Sequence, residues 1–183
     1  MKMFKEPIVV LDTETTGFHR EAELIELGAI CLDEWGRERS SFSALINPKI
    51  IDDWKVRKAL QVSKISPESL NEAEDLEKIR SIFYDWIEKI PSTDTPKCIA
   101  LNTNFDRRIL ERSGIHLSWG YCLLQMTKEL MAARKYIVRG KNGQPKPPSL
   151  KDTCIFFGIE YPINAHRALE DAKIQEWTQG KEV

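Results

Sequence analysis

The chain has 183 residues, with 27 Lys+Arg against 28 Asp+Glu, a net charge of −1 and a pI near 6.3. At 42% hydrophobic, 9% aromatic and 30% charged, it reads as one soluble folded domain over residues 1–183, not a disordered or fibrous chain. The near-even charge excludes a histone-like or tail-driven nucleic-acid binder, but not a nucleic-acid enzyme, whose site can itself be acidic. The longest apolar stretches, such as Ile8 to Leu11 and Cys154 to Ile159, fall far short of the roughly 20 residues a membrane span needs. Met1 to Pro7 lacks the apolar core of a signal peptide. Cys31, Cys98, Cys122 and Cys154 stand singly, which predicts reduced thiols in a cytoplasmic protein. With three histidines, a metal site must lean on carboxylates.

In chain order, residues 8–14 read as a buried strand: four apolar residues, three of them β-branched, then Asp12-Thr13-Glu14-Thr15-Thr16-Gly17. Residues 24–32 and 40–46 are the next strands, with a turn at Trp35-Gly36-Arg37, so an antiparallel meander is expected. Ser66-Pro67-Glu68 opens a helix, with Ser as cap and Pro at the first position. Leu76, Ile79, Phe83, Trp86, Ile87 and Ile90 continue it at helical spacing. Residues 97–101 read as a buried strand and 104–113 as a helix stopped by Gly114; residues 115–119 form a short strand, and 121–136 are helical. A Gly- and Pro-rich loop covers 137–148. Ser149-Leu150-Lys151-Asp152 resembles a capping box for a short helix ending at Gly158, and a last helix spans 167–179, closed by Gly180. The result is a mixed α/β domain.

Asp12-x-Glu14 is the sharpest local feature. On a strand, residues i and i+2 project to one face, and two carboxylates so placed repel unless a cation lies between them. Chance alone gives about four acidic i, i+2 pairs in a chain of this composition, so spacing is a weak signal. Glu72 and Glu74 form such a pair and read as a solvated helix face. What sets Asp12 and Glu14 apart is their place at the end of a buried strand, where catalytic groups of open α/β sheets gather. Asp106 follows a second buried strand, where favourable interaction with a helix dipole would also explain it; Asn102 could serve only an Asx turn. His166 and Asp171 are five residues apart, which is about 140° on one helix. They converge only if His166 lies on the entering loop and Asp171 one turn inside.

Together, Asp12-x-Glu14, Asn102-x-x-Phe105-Asp106 and His166-x-x-x-x-Asp171 resemble the DEDD family of 3′–5′ exonucleases, in the DEDDh subgroup with a histidine base. The resemblance covers about residues 7–178. It implies a ribonuclease H-like fold: a mixed five-stranded sheet, antiparallel meander then parallel strands, flanked by helices. Many relatives have His-Asn where this chain has Leu101-Asn102, and an Asp-Thr pair near residue 122 is missing; neither position is a metal ligand in the family.

The resemblance further implies that Asp12, Glu14, Asp106 and Asp171 hold two divalent cations, Mg²⁺ or Mn²⁺. Such a pair stabilises the attacking and leaving oxygens of an in-line phosphoryl displacement. His166 would be the general base, since an unperturbed imidazole titrates near 6.5. The backbone around Thr15, Thr16 and Gly17, with Glu14, would meet the 3′-terminal nucleotide, with Asn102 supporting the middle motif and nucleoside 5′-monophosphates as products. Phe18 either packs near the terminal base or belongs to the core. Residues 134–151 carry six basic side chains and no acid, so Arg139 and Lys141 are expected on the phosphates of single-stranded nucleic acid. A homodimer or a polymerase partner is compatible with the sequence. The rival reading is a non-catalytic nucleic-acid-binding or polymerase-associated subunit, which should have lost ligands that are intact here. A structural Ca²⁺ domain lacks its Asp-x-Asp-x-Asp-Gly loop.

Overall fold

Five strands, β1 (Ile8–Thr15), β2 (Leu24–Leu32), β3 (Glu38–Leu45), β4 (Lys97–Ala100) and β5 (Ser118–Cys122), form one sheet in the order β3-β2-β1-β4-β5. The structure is a computed structural model that describes residues 2–48, 54–162 and 166–179. β1 pairs antiparallel with β2, and β2 with β3; β4 lies parallel to β1 and β5 parallel to β4. The meander closes at Asp33, whose carboxylate accepts the backbone N–H groups of Trp35 and Arg37 while Gly36 takes a φ of 78°. The parallel pairings then require crossovers, and helices supply them.

The helices among the described residues are α1 (Trp54–Ser63), α2 (Pro67–Asn71), α3 (Leu76–Glu88), α4 (Thr103–Arg112), α5 (Leu123–Ala133), α6 (Leu150–Phe157) and α7 (Ala168–Gln179). α1 was not anticipated: Val56 and Leu60 are buried while Trp54 and Val62 are exposed, so apolar residues on both faces blur its periodicity. The helix expected from Ser66 onward is two helices. Ser66 Oγ caps α2, and Asp75 accepts Lys78 N–H at 2.8 Å to start α3. Glu72 and Glu74 therefore lie at the break and not on a helix face, with Glu72 at the C-cap of α2 and Glu74 ion-paired to Lys78. The last strand starts at Ser118, because Ile115 N–H bonds back to Leu110 O and finishes α4. The capping box at Ser149 and Asp152 forms as read, and Gly158 ends α6 with φ 68°. Gly180 lies outside the described residues.

The two faces of β1 bury different partners. Val9 and Leu11 pack with Ile79, Phe83 and Ile87 of α3 and Ile109 and Leu110 of α4. Ile8 and Val10 pack on the opposite face with Ile30, Leu32 and Leu169 of α7. α7 approaches the sheet closely at Gly28, where a Cβ would lie 2.1 Å from Leu169 N. Gly28 is the register partner of Asp12, so this contact brings α7 onto β1 where its acidic residues begin. No helix among the described residues is long and apolar enough to cross a membrane.

Candidate active site

Asp12 and Glu14 continue the Ile8–Val10 face of β1 and so point to the α7 side. There they meet Asp171, and one carboxylate oxygen from each of the three lies within 4.8 Å of the others. Thr13 continues the opposite face and donates from Oγ1 to Asp106 Oδ1 at 2.8 Å. Asp106 thus arrives from α4 and is the fourth carboxylate, outside the close trio but lining the same cavity. It is 3% exposed, so the first-turn dipole interaction, which would suit a solvated side chain, does not account for its burial.

Asp171 sits one turn inside α7, and His166 lies before the helix with φ 75°, donating its backbone N–H to Asp171 Oδ1 at 3.0 Å. The two residues therefore converge as the loop-and-helix arrangement requires. The start of α7 is held from outside: Arg167 makes a two-pronged ion pair with the Glu26 carboxylate, which also accepts Ala168 N–H at 3.0 Å. Glu26 is 1% exposed and is the register partner of Glu14, so a paired acid backs the trio across the sheet.

The carboxyl groups of Asp12, Glu14, Asp106 and Asp171 are all hard to ionise. Burial first, then the charges of Asp106, Asp171 and Glu14, hold Asp12 well above the usual carboxylate range. Burial, followed by Asp171 and Glu26, pushes Glu14 up to about 8. Burial also raises Asp106 against the Thr13 hydrogen bond, and raises Asp171 against the N–H of His166. The donors to Asp12, Asp106 and Asp171 are neutral: Gln175, Thr13 and the His166 backbone. Arg167 is the cation felt by Glu14, and it lowers that carboxyl against the burial that raises it.

Above the acids opens a cavity of about 620 Å³, lined by Asp12, Glu14, Asp106 and His166. Thr15, Gly17, Phe18 and Asn102 line it as well. Thr15 Oγ1 donates to Gly17 O at 2.7 Å, and Thr16 Oγ1 accepts Glu23 N–H, so the turn is braced by its own side chains. Phe18 is 89% exposed, which rules out a core role, and its ring lies 5.7 Å from that of Phe105. Asn102 is the N-cap of α4, with no capping bond from its side chain. Arg139 and Lys141 do not line the cavity. They sit on an exposed turn closed by the Arg139–Pro145 bridge, and Arg139 Nη1 donates to Gly143 O at 2.8 Å. Sequence reasoning missed Trp54, Lys58, Ala59 and Val62, which form the α1 wall of the cavity. Their i, i+4, i+8 spacing was the available signal, though only the fold shows that this stripe faces the acids. Gln175 and Glu26 were missed too.

Fold and site together define a nuclease built on a ribonuclease H-like sheet. Residues 9–175 match the RNase_T family, described as exonuclease, and the chain belongs to that family, within the DEDD 3′–5′ exonucleases. It is 25% identical over 171 residues to a PolC-type DNA polymerase III of Clostridium perfringens; the match takes in 93% of this chain and 11% of that protein. The chain thus spans about a ninth of this curated relative. The nuclease domain of 3′hExo, a DEDDh member bound to rAMP, superposes with a TM-score of 0.69 at 15% identity, covering 97% of this chain and 92% of that one. Exonuclease I gives a TM-score of 0.74 at 17% identity, covering 94% of this chain and 40% of the other. At these identities the structural likeness establishes the fold.

Proposed function

We propose that the protein is a metal-dependent 3′–5′ exonuclease, a single catalytic domain that shortens single-stranded DNA or RNA and releases nucleoside 5′-monophosphates. The observation that carries the reading is the convergence of Asp12, Glu14 and Asp171 within 4.8 Å, with Asp12 and Glu14 lining one open cavity together with Asp106 and His166.

The donor set fits divalent cations. It offers carboxylate oxygens, it is desolvated, and the hydrogen bonds to Asp12, Asp106 and Asp171 come from neutral donors, a combination suited to hard cations such as Mg²⁺ or Mn²⁺. Asp12, Glu14, Asp171 and Asp106 would hold them. When bound, two ions would supply charge stabilisation for the attacking and leaving oxygens of an in-line displacement. The protein's own groups do the rest. The exposed imidazole of His166 takes the proton from the attacking water, and its backbone N–H, tied to Asp171, keeps the ring beside the acids. The Thr15–Gly17 turn, Phe18 and the α1 wall hold the terminal nucleotide, with Asn102 at the entrance to α4. Lys58 is the cation in that wall, placed to meet a phosphate. Arg139 and Lys141, outside the cavity, would take phosphates further along the strand. The PolC-type relative supports association with a polymerase as a setting for this activity.

The test uses 5′-labelled DNA and RNA oligonucleotides, with and without Mg²⁺ or Mn²⁺, including 3′-blocked versions. A metal-dependent ladder shortening from the 3′ end is expected. Binding without shortening of any oligonucleotide would instead establish the non-catalytic subunit. In the same assay Asp12→Ala should abolish turnover, and His166→Ala should reduce it by about 10²–10⁴-fold at neutral pH.

A further inference from the structure

Gln175 stands four residues after Asp171, on the same face of α7, and its side chain is fully buried. Both ends of its amide are engaged. Nε2 donates to Asp12 Oδ1 at 3.0 Å, and Oε1 accepts the backbone N–H of Leu101 at 2.9 Å. Leu101 joins β4 to α4, whose first turn carries Asp106. One amide therefore ties the helix of Asp171, the strand of Asp12 and the junction leading to Asp106.

The two ends are not interchangeable. A flipped amide would set an oxygen against the Asp12 carboxylate and an NH₂ against an N–H, losing both bonds and adding two repulsions. The Leu101 N–H thus locks the donor end towards Asp12. A neutral donor suits this place for a further reason. A Lys or Arg would orient the carboxylate equally well, but it would also cancel the negative charge that attracts a cation. The amide fixes the carboxylate and leaves its charge in place.

We infer that Gln175 is a positioning residue for the metal site: it holds Asp12 in the orientation in which the acids act as one ligand set. The inference rests on the reading of Asp12 as a ligand. Partners that orient metal ligands are commonly worth 10–100-fold in metal affinity or activity.

Mn²⁺ binding, followed as loss of the free-ion EPR signal, is the direct test. Wild type should bind, and Gln175→Met, which keeps the volume but removes both hydrogen bonds, should bind at least tenfold more weakly while circular dichroism shows a retained fold. Ile174→Val, a buried apolar truncation on the same helix, should lower Tm and leave the Mn²⁺ affinity unchanged. Affinity within twofold of wild type in Gln175→Met overturns the inference. Failure of wild type to bind Mn²⁺ would instead overturn the metal-site reading. If Gln175→Met does not fold, the wild-type side-chain NMR signals decide. The Gln175 amide protons should exchange slowly and shift on addition of Mg²⁺; rapid exchange with no shift overturns the inference.

Discussion

Asp12 shows how one residue carries opposing demands. It lies on a strand whose preceding residues are fully buried, so its charge is desolvated, and three other acids repel it. The metal-free protein holds that repulsion in its folded state only. Asp12→Asn keeps the size and can still accept the Gln175 hydrogen bond, but it removes the charge. Thermal unfolding of the metal-free variant at pH 8 should therefore show a Tm higher than wild type by about 2–4 °C, the shift of roughly 1 kcal/mol for a chain of this size. An unchanged or lower Tm would mean that the acids do not strain the apo fold. Phe18 makes the converse case, a large apolar side chain left in water at the rim of the cavity. Stacking on a base is worth about 1–3 kcal/mol. Phe18→Ala should accordingly raise KM by about 5–150-fold and leave Tm within a degree or two. A fall in Tm with KM unchanged would assign the ring to packing against Phe105.

At the scale of elements, the site depends on how closely α7 sits on the sheet. Gly28 permits the backbone of Ala168 and Leu169 to touch β2, and the Arg167–Glu26 pair anchors the first turn beside it. A methyl group at Gly28 would meet backbone, which cannot move aside as a side chain can. Gly28→Ala should cost at least about 1–3 kcal/mol in denaturant unfolding, the usual range for overpacking. Because α7 carries His166 and Asp171 at its start, activity should fall further than stability does. Wild-type stability in this variant would show that the helix can retreat freely.

Across the whole molecule, the raised acids couple fold stability to pH and to metal. A carboxyl whose pKa is raised on folding binds its proton more tightly in the folded state. Its contribution is fully present below the unfolded value of about 4 and is lost as pH rises through the folded value. For Glu14 that window extends to about 8, and Asp12, Asp106 and Asp171 shift in the same direction. Metal-free protein should show a Tm that falls from pH 5 to pH 8, and saturating Mg²⁺ should flatten the fall by binding the ionised acids of the folded state. Differential scanning calorimetry with and without EDTA measures both. A Tm that rises across this window without metal contradicts the arrangement.

The sequence by itself marked the five strands and most of the helices, because those signals are local, while the mixed five-stranded sheet and the choice of Asp12, Glu14, Asp106, His166 and Asp171 rested on three short motifs that resemble a known family. β-branched runs, Asp and Ser caps, Gly at φ near +70° and short motifs are written in neighbouring residues. It did not determine which residues share the site with them. α1 carries apolar residues on two faces, and only the packed structure shows that Val56 and Leu60 point inward while Trp54, Lys58 and Val62 wall the cavity. The break between α2 and α3 was a competition between two good caps within one periodic stretch. Gln175 and Glu26 lie 163 and 12 residues from the acids they adjoin, Asp12 and Glu14. Tertiary structure alone decided such pairings: the β1–β2 register sets Glu26 beside Glu14, and the close seat of α7 at Gly28 brings Gln175 to Asp12.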